Sequence, residues 1–235
     1  MKSKSLIFVF IFAFISFAAH ADDKAAYSLN VANFNSLTVV DGIGVDYSCK
    51  PDSAGWAVFS APPELASKIS FSNNKEHLRI QTMSEESPLQ GLPRIKVYSA
   101  ALTYVENSGD SLVRVNATVP VPKFTAKQIG NGSLEVTGIT TTQLDGDAAA
   151  GKGSLTVEGK AEKAKFRNVG TGAVDASALE CDNMSCFILG PGKIDTNVSG
   201  RLKVTGAGSG RVINHAKAEK VSNRSIGIKV EEAGD

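Results

Sequence analysis

A chain of 235 residues with 25 Lys and Arg against 24 Asp and Glu carries almost no net charge and no basic block. That balance gives no electrostatic footprint for nucleic acid, while the length allows one large domain or two small ones with a sizeable core. Aromatics are only 7% of the residues, and 22 glycines stand among abundant Ser, Thr and Val, a mix that suits short strands and tight turns rather than a helix bundle.

The first predicted element is a secretory signal over residues 1–21. Lys2 and Lys4 form its positive end, Leu6 to Ala18 its apolar run, and Ala19-His20-Ala21 a small-x-small cleavage site. The run is too short to span a bilayer comfortably, and no second one follows. The mature part, 22–235, is therefore expected to be exported to the periplasm or the cell exterior without a membrane span.

Residues from about 22 to 100 read as a β-rich amino-terminal part and cap. "FNSLTVVDGIGVDYSCKP" gives two strands around a turn at Gly42 and Gly44. "GWAVFSAPPEL" gives a strand, then Pro62-Pro63 and a short helical segment with Leu65 and Ile69. "KISFSNNKEHLRIQT" is a hairpin turning at Asn73-Asn74, with Trp56 and Phe59 assigned to this half's core. "PRIKVYSAALTYVENSG" leads into the next region.

From about 101 to 230 the chain repeats. Gly130-Asn131-Gly132, Gly151-Lys152-Gly153, Gly170-Thr171-Gly172, Gly190-Pro191-Gly192 and Gly208-Ser209-Gly210 recur at intervals of roughly twenty residues, with Asn107-Ser108-Gly109 resembling a degenerate earlier copy. Two residues past each triplet come Leu134, Leu155, Val174, Ile194 and Val212, aliphatic in every copy. Polar or small residues alternate with them, the period of a strand with one buried face. Before the corners a second register appears in Met184, Cys186 and Ile188, with equivalents at Ala164, Phe166 and Asn168. The copy containing Leu144 is displaced by one residue, as a bulge or extra turn residue would displace it.

A single coil of strand, glycine corner and strand cannot bury its apolar side chains, but stacked coils can. The expected fold is therefore all-β: a parallel β-helix, or solenoid, of glycine-cornered coils with a β-rich amino-terminal cap. "KVTGAGSGRV", which resembles a dinucleotide-binding loop, is the last corner of this series. It has Arg211 and Val212 where the nearest nucleotide pattern wants glycine, and too little chain follows for a doubly wound sheet. No cofactor is expected. Nor is a metal, since His77 and His215, the histidines outside the signal, stand at no ligand spacing from a cysteine. Cys49, Cys181 and Cys186 read as buried free thiols, with a Cys181–Cys186 disulfide as the alternative; the two are close enough in sequence to pair, but an odd separation puts them on opposite faces of a strand.

The segments "FNSLTVVDGIGVDYSC", "KEHLRIQT" and "PRIKVYSAALTYVENSGD", followed by the glycine-x-glycine coils, resemble the head GIN domain family of autotransporter-adhesin-like proteins. The likeness runs from about Phe34 to Ile213. It implies an exported bacterial β-helix domain and supplies no catalytic residues.

The candidate contact positions form an outward ladder, Glu135, Thr156, Asp175 and Asp195, with Lys193 and Arg211 on the neighbouring row. Polar rows at strand spacing suit repeated hydrogen bonding to a glycan or an envelope protein. The leading reading is a non-catalytic exported surface or envelope module of the adhesion or binding type. A purely structural envelope protein is the alternative. More remote is a polysaccharide-active enzyme, which would use converging carboxylates such as Asp175 and Asp195.

Overall fold

Glycine-cornered coils are what the computed structural model shows over its described residues, 24–83 and 90–232. The signal expected at 1–21 lies outside them. The amino-terminal part supplies β1 (Ala25–Asn30), β2 (Ser36–Val40), β3 (Val45–Cys49), β4 (Trp56–Ala61), β5 (Ile69–Asn74), β6 (His77–Thr82) and β7 (Ile95–Ser99). One short helix, α1 (Pro63–Ala66), joins β4 to β5. Then follow β8 (Tyr104–Ser108), β9 (Leu112–Asn116), β10 (Val121–Ile129), β11 (Ser133–Ala149), β12 (Ser154–Val169) and β13 (Ala173–Asp175). The carboxyl-terminal coils use β14 (Leu179–Leu189), β15 (Lys193–Thr196), β16 (Val198–Ala207), β17 (Arg211–Asn214), β18 (Lys220–Ile226) and β19 (Lys229–Glu232).

Two parallel ladders run through the stack. The first lies ahead of each corner and stacks β6, β2, β8, β10, the distal parts of β11 and β12, β14, β16 and β18. The second follows each corner and stacks β7, β3, β9, the opening parts of β11 and β12, β13, β15, β17 and β19. A short third side pairs Thr141 with Ala161 and Ala161 with Cys181. Between the ladders Leu134, Leu155, Val174, Ile194 and Val212 lie in one register, each with no solvent exposure. Period-two alternation thus buries the predicted column.

Stacking dictates the corners. A Cβ on Gly153 would lie 2.6 Å from the Gly130 carbonyl oxygen and 2.7 Å from that of Gly132, far inside contact distance. Gly190 adds a positive φ of 117°, which side chains rarely adopt, and its Cβ would meet the Gly170 carbonyl at 2.9 Å. The one-residue displacement of the Leu144 copy is absorbed at Ala150, held at φ 53°, so that Ala148 still pairs with Asn168.

Several expectations need correction. The stack is longer than the glycine repeat indicated, because β2–β3 and β6–β7 are themselves tiers within the amino-terminal half. The degenerate corner is Gly109-Asp110-Ser111, two residues later than expected, since Ser133 pairs with Leu112. The hairpin turns at Lys75-Glu76, both at positive φ, while Asn73 and Asn74 stay paired with Leu78 and His77. Ile69 belongs to β5 rather than to the helix. Trp56 is 40% exposed: three residues from Phe59, it sits on the opposite face of β4. Cys181 and Cys186 are buried free thiols as expected, but they do not lie on opposite faces: β14 shifts register between Cys181 and Asn183, and both side chains turn inward.

The amino end is closed by antiparallel strands. β4 pairs with β7, β1 with β4, and β5 with β6, so each ladder ends against a strand running the other way. Phe59 joins the two sides, stacking with Tyr27 at 5.1 Å and Phe71 at 5.9 Å. Such a cover removes the bare backbone edge that an open stack would present.

Candidate functional site

The second ladder sets the geometry of the candidate face. Because its inward positions are aliphatic, the residues between them point out, and parallel pairing aligns them tier by tier. Glu135 pairs with Thr156, Thr156 with Asp175, and Asp175 with Asp195. Lys193 pairs with Arg211 in the adjoining row. The structure therefore brings the sequence-predicted positions onto one surface.

The carboxylates on this surface are all engaged. Lys193 Nζ stands 2.9 Å from Asp195, and His215 Nε2 stands 3.1 Å from the other carboxylate oxygen. Asp175 accepts from the Ser177 amide at 3.0 Å and from its hydroxyl at 2.6 Å. Partial burial works against the charge of Asp175, yet these two donors, with His215 and Lys193 nearby, hold its carboxyl below the usual value. Glu135 is met by Arg114 at 3.0 Å. Arg211 makes no ion pair among the described residues.

Sequence reasoning missed Arg114, Asp46 and Lys96, which extend the same row toward the amino end. The misplaced degenerate corner hid them; counted from Gly109-Asp110-Ser111, Arg114 falls on an outward position. Sequence reasoning also misses His215, since tests for metal ligation and for a nucleophile partner do not reveal its contact with Asp195. Among the described residues no group of His, Cys, Asp and Glu is arranged to hold a metal ion, and no helix is long and apolar enough to cross a membrane.

The third side carries a groove of about 750 Å³ that the sequence did not reveal. Thr140, Lys160, Glu162, Glu180 and Asp182 line it, and Lys160 bridges to Glu180 at 2.8 Å. The groove is open and mixed in charge.

A family model described as "Putative auto-transporter adhesin, head GIN domain" matches residues 33–218. The chain belongs to this family. No curated protein matches the head GIN chain. Its fold resembles that of a putative adhesin from Bacteroides fragilis, with a TM-score of 0.81 at 16% identity, covering 90% of this chain and 98% of that one. A putative adhesin from Parabacteroides distasonis gives 0.72 at 21% identity, covering 89% and 97%. A putative lipid binding protein from the same species gives 0.67 at 17% identity, covering 89% and 96%. At these identities the likeness is one of fold.

Proposed function

We propose that this head GIN protein is an exported, non-catalytic surface or envelope module that works by contact, with a glycan or another envelope protein as its partner. The observation that carries the reading is the registered polar row Glu135–Thr156–Asp175–Asp195, spread over several tiers of one rigid face. Such a row offers several weak hydrogen bonds at a fixed repeat, and linked weak contacts add up to useful avidity. Membership of an adhesin-like family and a fold shared with the two putative adhesins point the same way.

The carboxylates support contact over catalysis. A glycosidase-type pair needs one carboxyl held protonated near neutral pH. Asp175 is shifted in the opposite direction, and Asp195 is occupied by Lys193 and His215. The test is the triple replacement of Glu135, Asp175 and Asp195 by alanine, measured on a glycan array and by binding to cells. Loss of signal is expected; an unchanged signal excludes this face and leaves the structural-protein alternative. New reducing or unsaturated ends after incubation with polysaccharides would instead reveal an enzyme.

A further inference from the structure

The near-zero net charge of the whole chain conceals a strongly one-sided face on the other ladder. Outward from the distal part of β12 and from β14, β16 and β18, the four registered rows that begin at Lys163, Lys165, Arg167 and Val169 contain no Asp or Glu. The acids stand at the borders, Asp145 and Asp147 on β11 and Asp182 and Glu219 toward the third side. β12 presents Lys163, Lys165 and Arg167 on these rows, all exposed. β16 adds Arg201 and Lys203 in register through β14, and β18 adds Lys220 and Arg224. Tiers repeat at about 4.8 Å and alternate residues at roughly 6.6 Å, so these cations fill a flat field. Among the described residues only Arg167 of this group meets a carboxylate, Asp147 at 3.4 Å. Lys165, in register with Asp145, helps hold that carboxyl below its usual value, while Lys163 and the cations of β16 and β18 make no ion pair among the described residues.

Along the corner side of this field runs an apolar edge. Val169, Leu189, Ala207 and Ile226 form one outward column, and Phe187 stands beside Leu189. Leu189 is 48% exposed, Ile226 79% and Phe187 36%. Single exposed apolar residues need no explanation, but an aligned edge bordering a cationic plane does. A soluble polyanion would use the cations and leave the aliphatic edge in water. A bilayer leaflet takes both, with anionic headgroups against the plane and acyl carbons against the edge.

We infer that this face docks on an anionic lipid surface, with Lys165, Lys203 and Arg224 meeting headgroups while Leu189 and Ile226 enter the interfacial layer. It goes beyond the contact function proposed above, since it uses the other ladder and none of the same residues.

Protein from the full expressed chain, mixed with phosphatidylglycerol–phosphatidylcholine vesicles and sedimented, tests it. Binding should exceed that to pure phosphatidylcholine and weaken as salt is raised. The K165Q/K203Q/R224Q variant should bind roughly a hundredfold more weakly, and L189S/I226S about tenfold. All five positions are on the surface, and an unchanged circular-dichroism spectrum checks that the fold is intact. Any binding through the amino-terminal segment persists in every variant, so equal sedimentation of all three proteins overturns the inference. So does the absence of binding, or binding of this face to soluble dextran sulfate but not to vesicles. The triple alanine variant of the acidic row should bind vesicles normally, so either proposal can fail without the other.

Discussion

In the coils from β10 onward each strand lies on one that follows or precedes it by a single turn of chain; Ser133 pairs with Ser154, and Ser154 with Ala173. At the amino end the order is broken. β2 is held between β6 and β8, so that Ser36 pairs with both His77 and Tyr104, and the tier cannot close until chain well beyond it has arrived. The later coils are specified at their corners, where a backbone stacks on a backbone and only glycine fits. The amino end has few stacked glycines and is specified by side-chain packing instead: Phe34 against Tyr47, and Phe59 between Tyr27 and Phe71. One architecture is thus encoded in two ways.

The sharpest way to separate the two is to damage each by its own mechanism. Phe34 has no exposure, and Phe34→Ala should cost about 3–5 kcal/mol, read as a lowered urea midpoint. Gly153→Ala adds one methyl group in the later coils, yet it drives that methyl onto two carbonyl oxygens and should cost about 3 kcal/mol. Native-state hydrogen exchange distinguishes them further. Because coils interact mainly with their neighbours, Gly153→Ala should raise exchange in β11 to β13 and spare the cap. If a glycine-to-alanine change were silent, the corners would not be the stacked contacts described.

A smaller effect is expected at the buried amides that brace both regions. Asn168 donates to the carbonyls of Gly172 and Lys193 at 2.8 and 3.1 Å. Asn107 stands in the same inward row, donates to Ser111 and Ser133, and also accepts the Gly109 amide at 3.1 Å. Each Asn→Ala change should cost about 1–3 kcal/mol by thermal or urea unfolding, with Asn107→Ala the larger. Equal and negligible costs would mean that water replaces the amides and that packing alone holds the corners.

The contrast also explains what the sequence could and could not tell. The later coils were legible because steric necessity writes glycine at fixed intervals and burial writes an aliphatic residue at a fixed distance after it. Leu134 through Val212 were found that way, and so was the outward row from Glu135 to Asp195. Around β2 and β6 no such punctuation exists. Alternation revealed strands there, but nothing local says that β2 pairs with chain arriving later on both sides. The basic field was hidden for a different reason: its residues come from separate coils, and whole-chain charge averages them against acids on other sides.

Thiol labelling refines the comparison through rates. Burial pushes the Cys186 thiol up to about 12 and that of Cys181 up to about 11, whereas Cys49, in the amino part, is only half-buried. A thiol reagent at neutral pH should reach Cys49 first and Cys186 last, with all three equal in urea. Early native labelling of Cys186 would place β14 out of register with Phe166 and Val204, its neighbours in the ladder.

The smallest expected effects are on the outside. At the amino end Arg94 makes two bonds to Asp46, at 2.7 and 2.6 Å; in the later coils Asp175 is held by Ser177. Both sites are largely solvated, so Asp46→Asn should cost roughly 1 kcal/mol and Asp175→Asn less, by urea unfolding at neutral pH. The folded carboxyl of Asp175 titrates below its unfolded value. Its contribution is therefore complete above the ordinary carboxylate range and lost as pH falls through the folded value, so the Asp175→Asn difference should vanish at low pH. A difference that persisted in acid would reflect the shape of the Ser177 turn rather than charge. In either outcome the outer row contributes little to holding the coils together, leaving its residues free to be set by whatever they touch.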